Sequence, residues 1–469
     1  MPIRPGSQPN SFGAMRPSRR RFLQQSFGLG LSAAAGGAFL AGCGPSGSSS
    51  GGGEADEQGT VVSEPIDGKL NVTWWTHNNP AFVKANTEMI KRFEADNPDI
   101  HLVYQHFPYD VFVSKLQAAY RAENVADIQQ MFGTWVTEYA ANGLLAEAPA
   151  TLAGGSAAES FWPAATSAYT HEGTLYGIPH EYNLENGGIL YNPKLAKAAG
   201  ITEPPATWND LVEAATALTK RNDKDKVTQV GFAFTGSDSI TFTFLSMILQ
   251  QGADYWDADG VHVNFHTTEA QQAWTDETEL VTRHQVDNTT WYNGEPYEMF
   301  FRGRAAMAKH GPWVVETGRA SFPKFKDLSY IAEPPYAGDE VKFAAESGWG
   351  EVVNAGAPEE NREAAWKFID FMAHPDNMRD WNSMTATVPS LKELKDDPQL
   401  LEKAPYLEVP FSVLPNGQGI GTVHDRDTFF GYLLDAFVSV ELAKKDPLTA
   451  LTDAEKQINA MIDQNVGPG

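Results

Sequence analysis

The apolar and polar positions after residue 69 predict a strand, a helix and a second strand. Residues 70–76 alternate as a strand does, 81–97 place Phe82, Met89 and Phe93 at helical spacing, and 100–104 alternate again. Such a βαβ unit builds a parallel sheet with ligand sites beyond the carboxyl ends of its strands. The first candidate binding residues therefore follow the first strand: His77, Asn78 and Asn79.

The pattern continues with a helix over 110–123 and a short strand over 127–131. A loop is expected at 132–135, again after a strand end, and this adds Thr134 and Trp135 as candidates. Trp74 and Trp75 alternate on the first strand, so at least one of them should face the core. Further helices are predicted at 208–220, with Thr207 as N-cap, and at 270–283, 363–372 and 448–462.

The N-terminal segment is typical of an export signal. Residues 18–24 (SRRRFLQ) carry a twin-arginine pattern, 27–40 are apolar or small, and Leu40 to Cys43 form a lipoprotein cleavage box. We expect a signal peptide over 1–42, a lipid on Cys43 and a flexible linker over 43–65, which is rich in Gly and Ser. General secretory export and an uncleaved membrane anchor remain alternatives.

Composition narrows the possible partners. The chain has 469 residues, enough for two lobes, and a formal net charge of −25, which makes nucleic acid a poor partner. Cys43 is the single cysteine, so no disulfide can form within one chain. No metal-spaced histidine pair and no nucleophile or phosphate-binding motif is present, so neither a metal nor a cofactor is expected; calcium binding stays open.

Four segments in order resemble the sugar-binding class of extracellular solute-binding proteins of ABC importers, which includes maltose-binding protein. They are 175–179 with 189–195, the PPATW at 204–208, 301–313 (FRGRAAMAKHGPW), and SGWG at 347–350 with 364–369. The resemblance implies an α/β fold of two discontinuous lobes with a ligand cleft between them: 66–182 with 349–397, and 183–348 with 398–469. Crossings between the lobes are expected near 181–185 and near Ser347.

The resemblance also implies the ligand contacts. Sugars need aromatic platforms for their apolar faces and carboxylates or amides for their hydroxyls. Trp313 matches the family's stacking tryptophan, Trp349 lies between two glycines at a crossing, and Glu181 matches a ligand-binding carboxylate with Asn183 beside it. Core packing is the alternative for each tryptophan, and a structural role is the alternative for His77.

These features predict a monomeric lipoprotein on the outer face of the cell membrane that delivers a sugar or short oligosaccharide to an ABC permease, without catalysis. Two alternatives stay open. The same fold binds other small polar solutes, such as polyamines, phosphorylated polyols or peptides. A secreted glycosidase would also combine aromatic platforms with paired carboxylates. The sequence does not identify the sugar.

Overall fold

The computed structural model describes residues 59–153, 159–182, 184–185, 187–292, 294–346, 348–421, 423 and 425–466. The signal peptide, Cys43 and most of the linker predicted from the sequence lie outside these residues, as do Asn183 and Ser347. Within the described part of the chain, no helix is both long and apolar enough to cross a membrane.

A six-stranded sheet forms the centre of the first lobe. Its order is Thr60–Val61, Ile100–Phe107, Leu70–His77, Ile128–Phe132, Trp349–Val353, Gly177–Pro179. Leu70–His77 runs parallel to both of its neighbours, which confirms the predicted βαβ unit, whereas Trp349–Val353 is antiparallel to the strands on either side. Trp74 is fully buried and Trp75 lies on the opposite face over Phe107, as strand alternation requires.

A five-stranded sheet forms the centre of the second lobe. Its order is Lys220–Arg221, Val227–Ala233, Ala305–Lys309, Gly188–Tyr191, Ser329–Ala332. Val227–Ala233 and Ala305–Lys309 are parallel, so their carboxyl ends lie at the same edge of the sheet. Three short strand pairs complete the described sheet structure: Thr170–His171 with Thr174–Leu175, Glu181–Tyr182 with Val388–Pro389, and Phe343–Ala345 with Gly417–Gly419.

Helices cover both sheets. Those on the first lobe are Pro80–Asp96, Tyr109–Arg121, Gly133–Ala141, Ala150–Ala153, Pro163–Ser167, Glu359–Ala373 and Pro375–Thr385, with a 3₁₀ turn at Lys392–Asp396. Those on the second lobe are Pro193–Ala198, Trp208–Leu218, Ser237–Gln250, Thr268–Thr282, Pro296–Phe301, Val314–Ser321, Arg426–Ala443 and Pro447–Val466. Short helical turns at Pro398–Lys403, Pro405–Leu407, Glu408–Val413 and Leu414–Asn416 lie between them along the chain.

Helix ends follow their local sequence. Asn79 caps Pro80–Asp96 by accepting bonds from the backbone N–H groups of Ala81 and Phe82, and proline occupies the first helical position. The predicted N-cap Thr207 is confirmed as part of a reciprocal capping box with Asp210.

The apolar side chains form separate cores. The first includes Trp74, Phe93 and Phe368 on the helices and strands of the first lobe, and it also takes in Leu400 and Phe411. The second includes Phe242, Trp274 and Phe437, and a smaller third lies around Phe300. The chain passes from the first sheet to the second after Pro179 and enters it at Gly188. It returns to the first sheet at Trp349.

Candidate functional site

Aromatic rings meet where the strands of the first sheet end. Trp349 lies directly across from Phe132 in the strand register, and the two rings stack at 4.0 Å. The ring of His77 stacks on the other side of Trp349, at 4.4 Å. Trp135 and Tyr109 meet Trp349 edge-on at 5.5 Å and 6.2 Å. We call these five residues the first-lobe aromatic cluster.

His77 is held neutral within this cluster. Burial lowers the pKa of His77 to about 4, a shift that the hydrogen bond with Gln130 opposes and the nearby His106 adds to. The Nδ1 atom lies 2.6 Å from Oε1 of Gln130. At neutral pH the imidazole is therefore an uncharged ring with a fixed orientation, which suits packing and hydrogen bonding more than charge recognition.

The segment predicted as a loop at 132–135 is in fact a helix N-terminus. Gly133–Ala141 begins directly after Phe132, because Val136, Tyr139 and Ala140 recur at helical spacing and are buried. Trp135 thus stands in the first turn, half-buried. The hydroxyl of Thr134 donates to Oε1 of Glu346, at 3.1 Å, in the second crossing between the lobes.

The two asparagines after the first strand have different environments. Asn78 is exposed, whereas the side chain of Asn79 serves as the helix cap described above. Oδ1 of Asn79 also accepts a hydrogen bond from Thr317 of the second lobe, at 3.1 Å. Thr317 lies in Val314–Ser321, so this bond connects the two lobes directly.

The second sheet presents its own aromatic group at a strand end. Ala305–Lys309 is followed by His310 and, after a Gly-Pro turn, by the half-buried Trp313. The rings of Tyr297 and His310 each contact Trp313 edge-on at 5.6 Å. We call Tyr297, His310 and Trp313 the second-lobe aromatic cluster.

Glu185 of the first crossing fixes the position of this cluster. Its carboxylate accepts from Nε1 of Trp313 at 2.7 Å and from the backbone N–H of Gly311 at 2.9 Å. A side chain at position 311 would meet the carbonyl oxygen of Leu184 at 2.4 Å from its Cβ, so only glycine allows this close approach. Burial alone would raise the pKa of Glu185, but His310, Gly311 and Trp313 together lower it, so Glu185 is ionised.

Glu181 of the same crossing is in the opposite state. It is buried, and its Oε1 accepts from the backbone N–H of Trp349 at 3.1 Å. Burial raises the pKa of Glu181 to about 8, and the charges of Glu185, Glu346 and Glu351 act in the same direction, whereas the Trp349 bond opposes it. One crossing therefore holds a protonated carboxyl bonded to Trp349 and an ionised carboxylate bonded to Trp313.

Arg426 also joins the two lobes. Its Nε bonds Oε1 of Glu346 at 2.6 Å, and its other nitrogens lie 3.1 Å from Asp238 and 3.3 Å from Asp427. The guanidinium also lies over the ring of Phe132, 5.2 Å from its centroid, although Arg426 belongs to a second-lobe helix. This cation was not among the residues that the sequence indicated.

The candidate residues thus group around the junction of the two lobes, which we call the interlobe space. His77, Trp135 and Trp349 lie together, Thr134 and Asn79 reach second-lobe or crossing residues, and Trp313 is linked through Glu185 to the crossing that holds Glu181. Asn78 makes no contact that ties it to these groups in the described residues, and Asn183 lies outside them. The described residues contain no group of three or more His, Cys, Asp or Glu that could hold a metal ion.

Residues 79–379 match the model of the bacterial extracellular solute-binding protein family. This chain belongs to that family. Members of the family are binding proteins, which agrees with the expectation of a binder and not an enzyme. The curated relatives include the sn-glycerol-3-phosphate-binding periplasmic protein UgpB of Shigella dysenteriae, 23% identical over 416 residues that cover 83% of this chain and 92% of UgpB.

Solved structures confirm the two-lobed fold. One is an ABC transporter solute-binding protein from Thermotoga lettingae TMO bound with alpha-D-tagatose, with a TM-score of 0.73 and 21% identity over 84% of this chain and 100% of that one. Another is the maltose-bound MalE3 of T. maritima, with a TM-score of 0.70 and 19% identity over 84% of this chain and 100% of that one. At these identities the likeness extends to the fold alone.

Sequence reasoning missed several residues that the fold brings to the interlobe space: Tyr109, Phe132, Glu185, Asp238, Glu295, Tyr297, His310 and Arg426. Two of them carried a usable signal. Glu185 falls within the predicted crossing, and His310 directly precedes the Gly-Pro-Trp turn. Arg426 and Asp238 are distant in the chain from every recognised segment, so only the three-dimensional arrangement identifies them.

Proposed function

We propose that this protein captures a sugar or short oligosaccharide outside the cell membrane and delivers it to the permease subunits of an ABC importer. The observation that supports this most is the pair of aromatic clusters at the strand ends of both lobes, connected by Glu181 and Glu185 in one crossing. Indole rings suit the apolar face of a sugar, and carboxyl groups in two protonation states both donate to and accept from hydroxyls.

The ligand lies between the lobes in this proposal. Trp313 of the second lobe supplies the stacking platform, whereas Trp349 of the first lobe, whose faces are covered by Phe132 and His77, contributes only its edge. Glu181 and Asn183 bind hydroxyls, and His77, Asn78, Asn79, Thr134 and Trp135 line the first-lobe side. Contact with both lobes makes the ligand bind the closed form more tightly than the open form, so the ligand favours closure. The lobe ranges are those expected from the sequence: 66–182 with 349–397, and 183–348 with 398–469.

A thermal-shift screen of the mature body against mono- and oligosaccharides tests the proposal. A ligand that binds only the native fold raises the apparent melting temperature, and the same ligand should change tryptophan fluorescence. The sugar should be recovered unchanged. Release of new reducing ends would instead favour a glycosidase, and a response only to polyamines or peptides would place the protein among binders of other solutes.

Export and anchoring form a second part of the proposal. A signal peptide over 1–42 is removed, Cys43 receives a lipid, and 43–65 tethers a monomeric body near the outer face of the membrane. Changing Cys43→Ser should release the protein from the membrane fraction and abolish labelling with a fatty acid. Changing Arg19→Lys together with Arg20→Lys should block twin-arginine export, whereas general secretory export should tolerate both changes.

A further inference from the structure

Carboxylates outnumber cations around the interlobe space. Glu185, Asp238, Glu295, Glu346 and Asp427, which we call the acidic cluster, surround Arg426 and His310. Even with a proton on His310, two cations face five carboxylates. An excess of one sign in a cleft with low-dielectric walls selects ligands of the opposite sign.

The acidic cluster borders residues of both lobes. Burial raises the pKa of Tyr109 in the first lobe, and the charges of Asp427, Asp238 and Glu346 raise it further while Arg426 lowers it. In the second lobe, Oε2 of Glu295 lies 3.8 Å from Nε2 of His310, a member of the second-lobe aromatic cluster, and Oε2 of Glu185 lies 3.6 Å from Nδ1 of the same ring. The acidic cluster therefore has members whose charges reach a first-lobe tyrosine and members that contact the second-lobe aromatic cluster.

The arginine within the acidic cluster is already ion-paired. Arg426 is buried and shared among Glu346, Asp238 and Asp427. The helix N-termini at this position carry acidic residues as well, because Asp238 lies in the first turn of Ser237–Gln250 and Asp427 in that of Arg426–Ala443. A phosphate group needs free cations or uncovered N–H groups at a helix N-terminus. Neither is offered by these residues.

The acidic cluster, by contrast, has carboxylate oxygens that are not fully hydrogen-bonded. Oε2 of Glu346 is buried and has no hydrogen-bond partner among the described residues, although the other oxygen binds Arg426 and Thr134. The side chain of Glu295 is 58% exposed beside His310, at 3.8 Å. A buried carboxylate oxygen without a donor costs free energy, and a donor on the ligand would remove that cost.

We propose that the cleft takes an aminated sugar, whose protonated amine is bound by the acidic cluster beside Tyr109 and Tyr297, and that it rejects phosphorylated polyols. The inference rests on the proposed sugar-binding function and names its ligand class. The half-buried rings of Tyr109 and Tyr297 suit a cation, since an ammonium group is attracted to an aromatic face as well as to carboxylates. A neutral sugar would use the same rings without the charge.

Isothermal titration at low salt tests the inference. The saccharide that binds most tightly in the screen is compared with its amino-substituted and phosphorylated counterparts. We expect the amine to bind at least about fivefold more tightly than the neutral sugar, since one charge contact at close range is worth about 1 kcal/mol even in water. The preference should shrink with added salt, and the phosphate ester should not bind.

Two matched variants assign the preference to the cluster. Glu295→Gln should lower the ratio of amine to neutral affinity by about fivefold, because it removes one carboxylate of the acidic cluster. Glu279→Gln, which breaks an i,i+4 pair with Arg283 on the helix Thr268–Thr282 outside the cluster, should leave that ratio unchanged.

The outcomes separate the two proposals. An amine that binds no more tightly than the neutral sugar, or a phosphate ester that binds better, overturns the inference while sugar binding stands. Failure of every saccharide, in all three forms, overturns the proposed function and the inference with it.

Discussion

Replacing Trp313 separates the two roles that its ring has in the structure. The indole N–H donates to the ionised Glu185 at 2.7 Å, and the ring packs against Tyr297 and His310. Trp313→Ala removes both the platform and the bond. If one stacking platform is worth about 1.5 kcal/mol, the dissociation constant of the bound sugar should rise about tenfold or more.

Trp313→Phe keeps an aromatic face but no donor for Glu185. Loss of a hydrogen bond to a charged group lowers the free energy of unfolding by about 1.5–3 kcal/mol, so this variant should lose stability with a smaller loss of affinity. Trp208→Ala is the control, because that ring packs against Tyr336 and belongs to neither aromatic cluster. Titration calorimetry and urea unfolding measure the two quantities. A folded Trp313→Ala variant with an affinity within about twofold of the wild type would refute the reasoning.

Three further predictions concern the crossings. Glu181→Gln should flatten the pH dependence of stability. The buried carboxyl has a pKa of about 8 instead of 4.5, so the free energy of unfolding of the wild type falls by about 5 kcal/mol as pH rises between these values. Denaturation at several pH values measures this. Trp349→Ala should lower unfolding free energy by about 3–5 kcal/mol and abolish binding, since the ring is buried between His77 and Phe132; equal stability by urea unfolding would contradict this. Arg426→Leu should cost about 3 kcal/mol or more by leaving Glu346 unpaired; an unchanged urea midpoint would argue against the ion pair.

The parts of the fold that sequence reasoning predicted are those with strong local patterns. Alternation predicted the strand that ends at His77, helical spacing predicted the helix Pro80–Asp96 to within one residue, and the Thr207 cap predicted the start of a helix. The prediction of a loop after Phe132 was wrong, because a helix that begins at glycine directly after a strand has no capping side chain that would indicate its start. Here the buried face of the helix, and not a capping residue in the sequence, determines where the helix lies.

The candidate site was predictable only where it coincides with recognisable segments. Trp313 follows a Gly-Pro turn and Trp349 begins a strand, both in segments that the family resemblance marks, and the structure gives each a carboxyl partner in the first crossing. The opposite protonation of Glu181 and Glu185 has no sequence signal, since it arises from burial and from donors far along the chain. Arg426 reaches the space from a C-terminal helix, so its role depends wholly on how the lobes meet.

A crystal structure of the mature protein with the sugar identified by the screen tests the ligand's position most directly. We expect density for the sugar between the two aromatic clusters, stacked on Trp313 from one lobe and touching only the edge of Trp349 from the other, with a hydroxyl bonded to Glu181. A depression of 520 Å³ on the first lobe, between Glu147 and Trp366, offers a different place. A sugar bound there, with the interlobe space empty, would contradict the proposal.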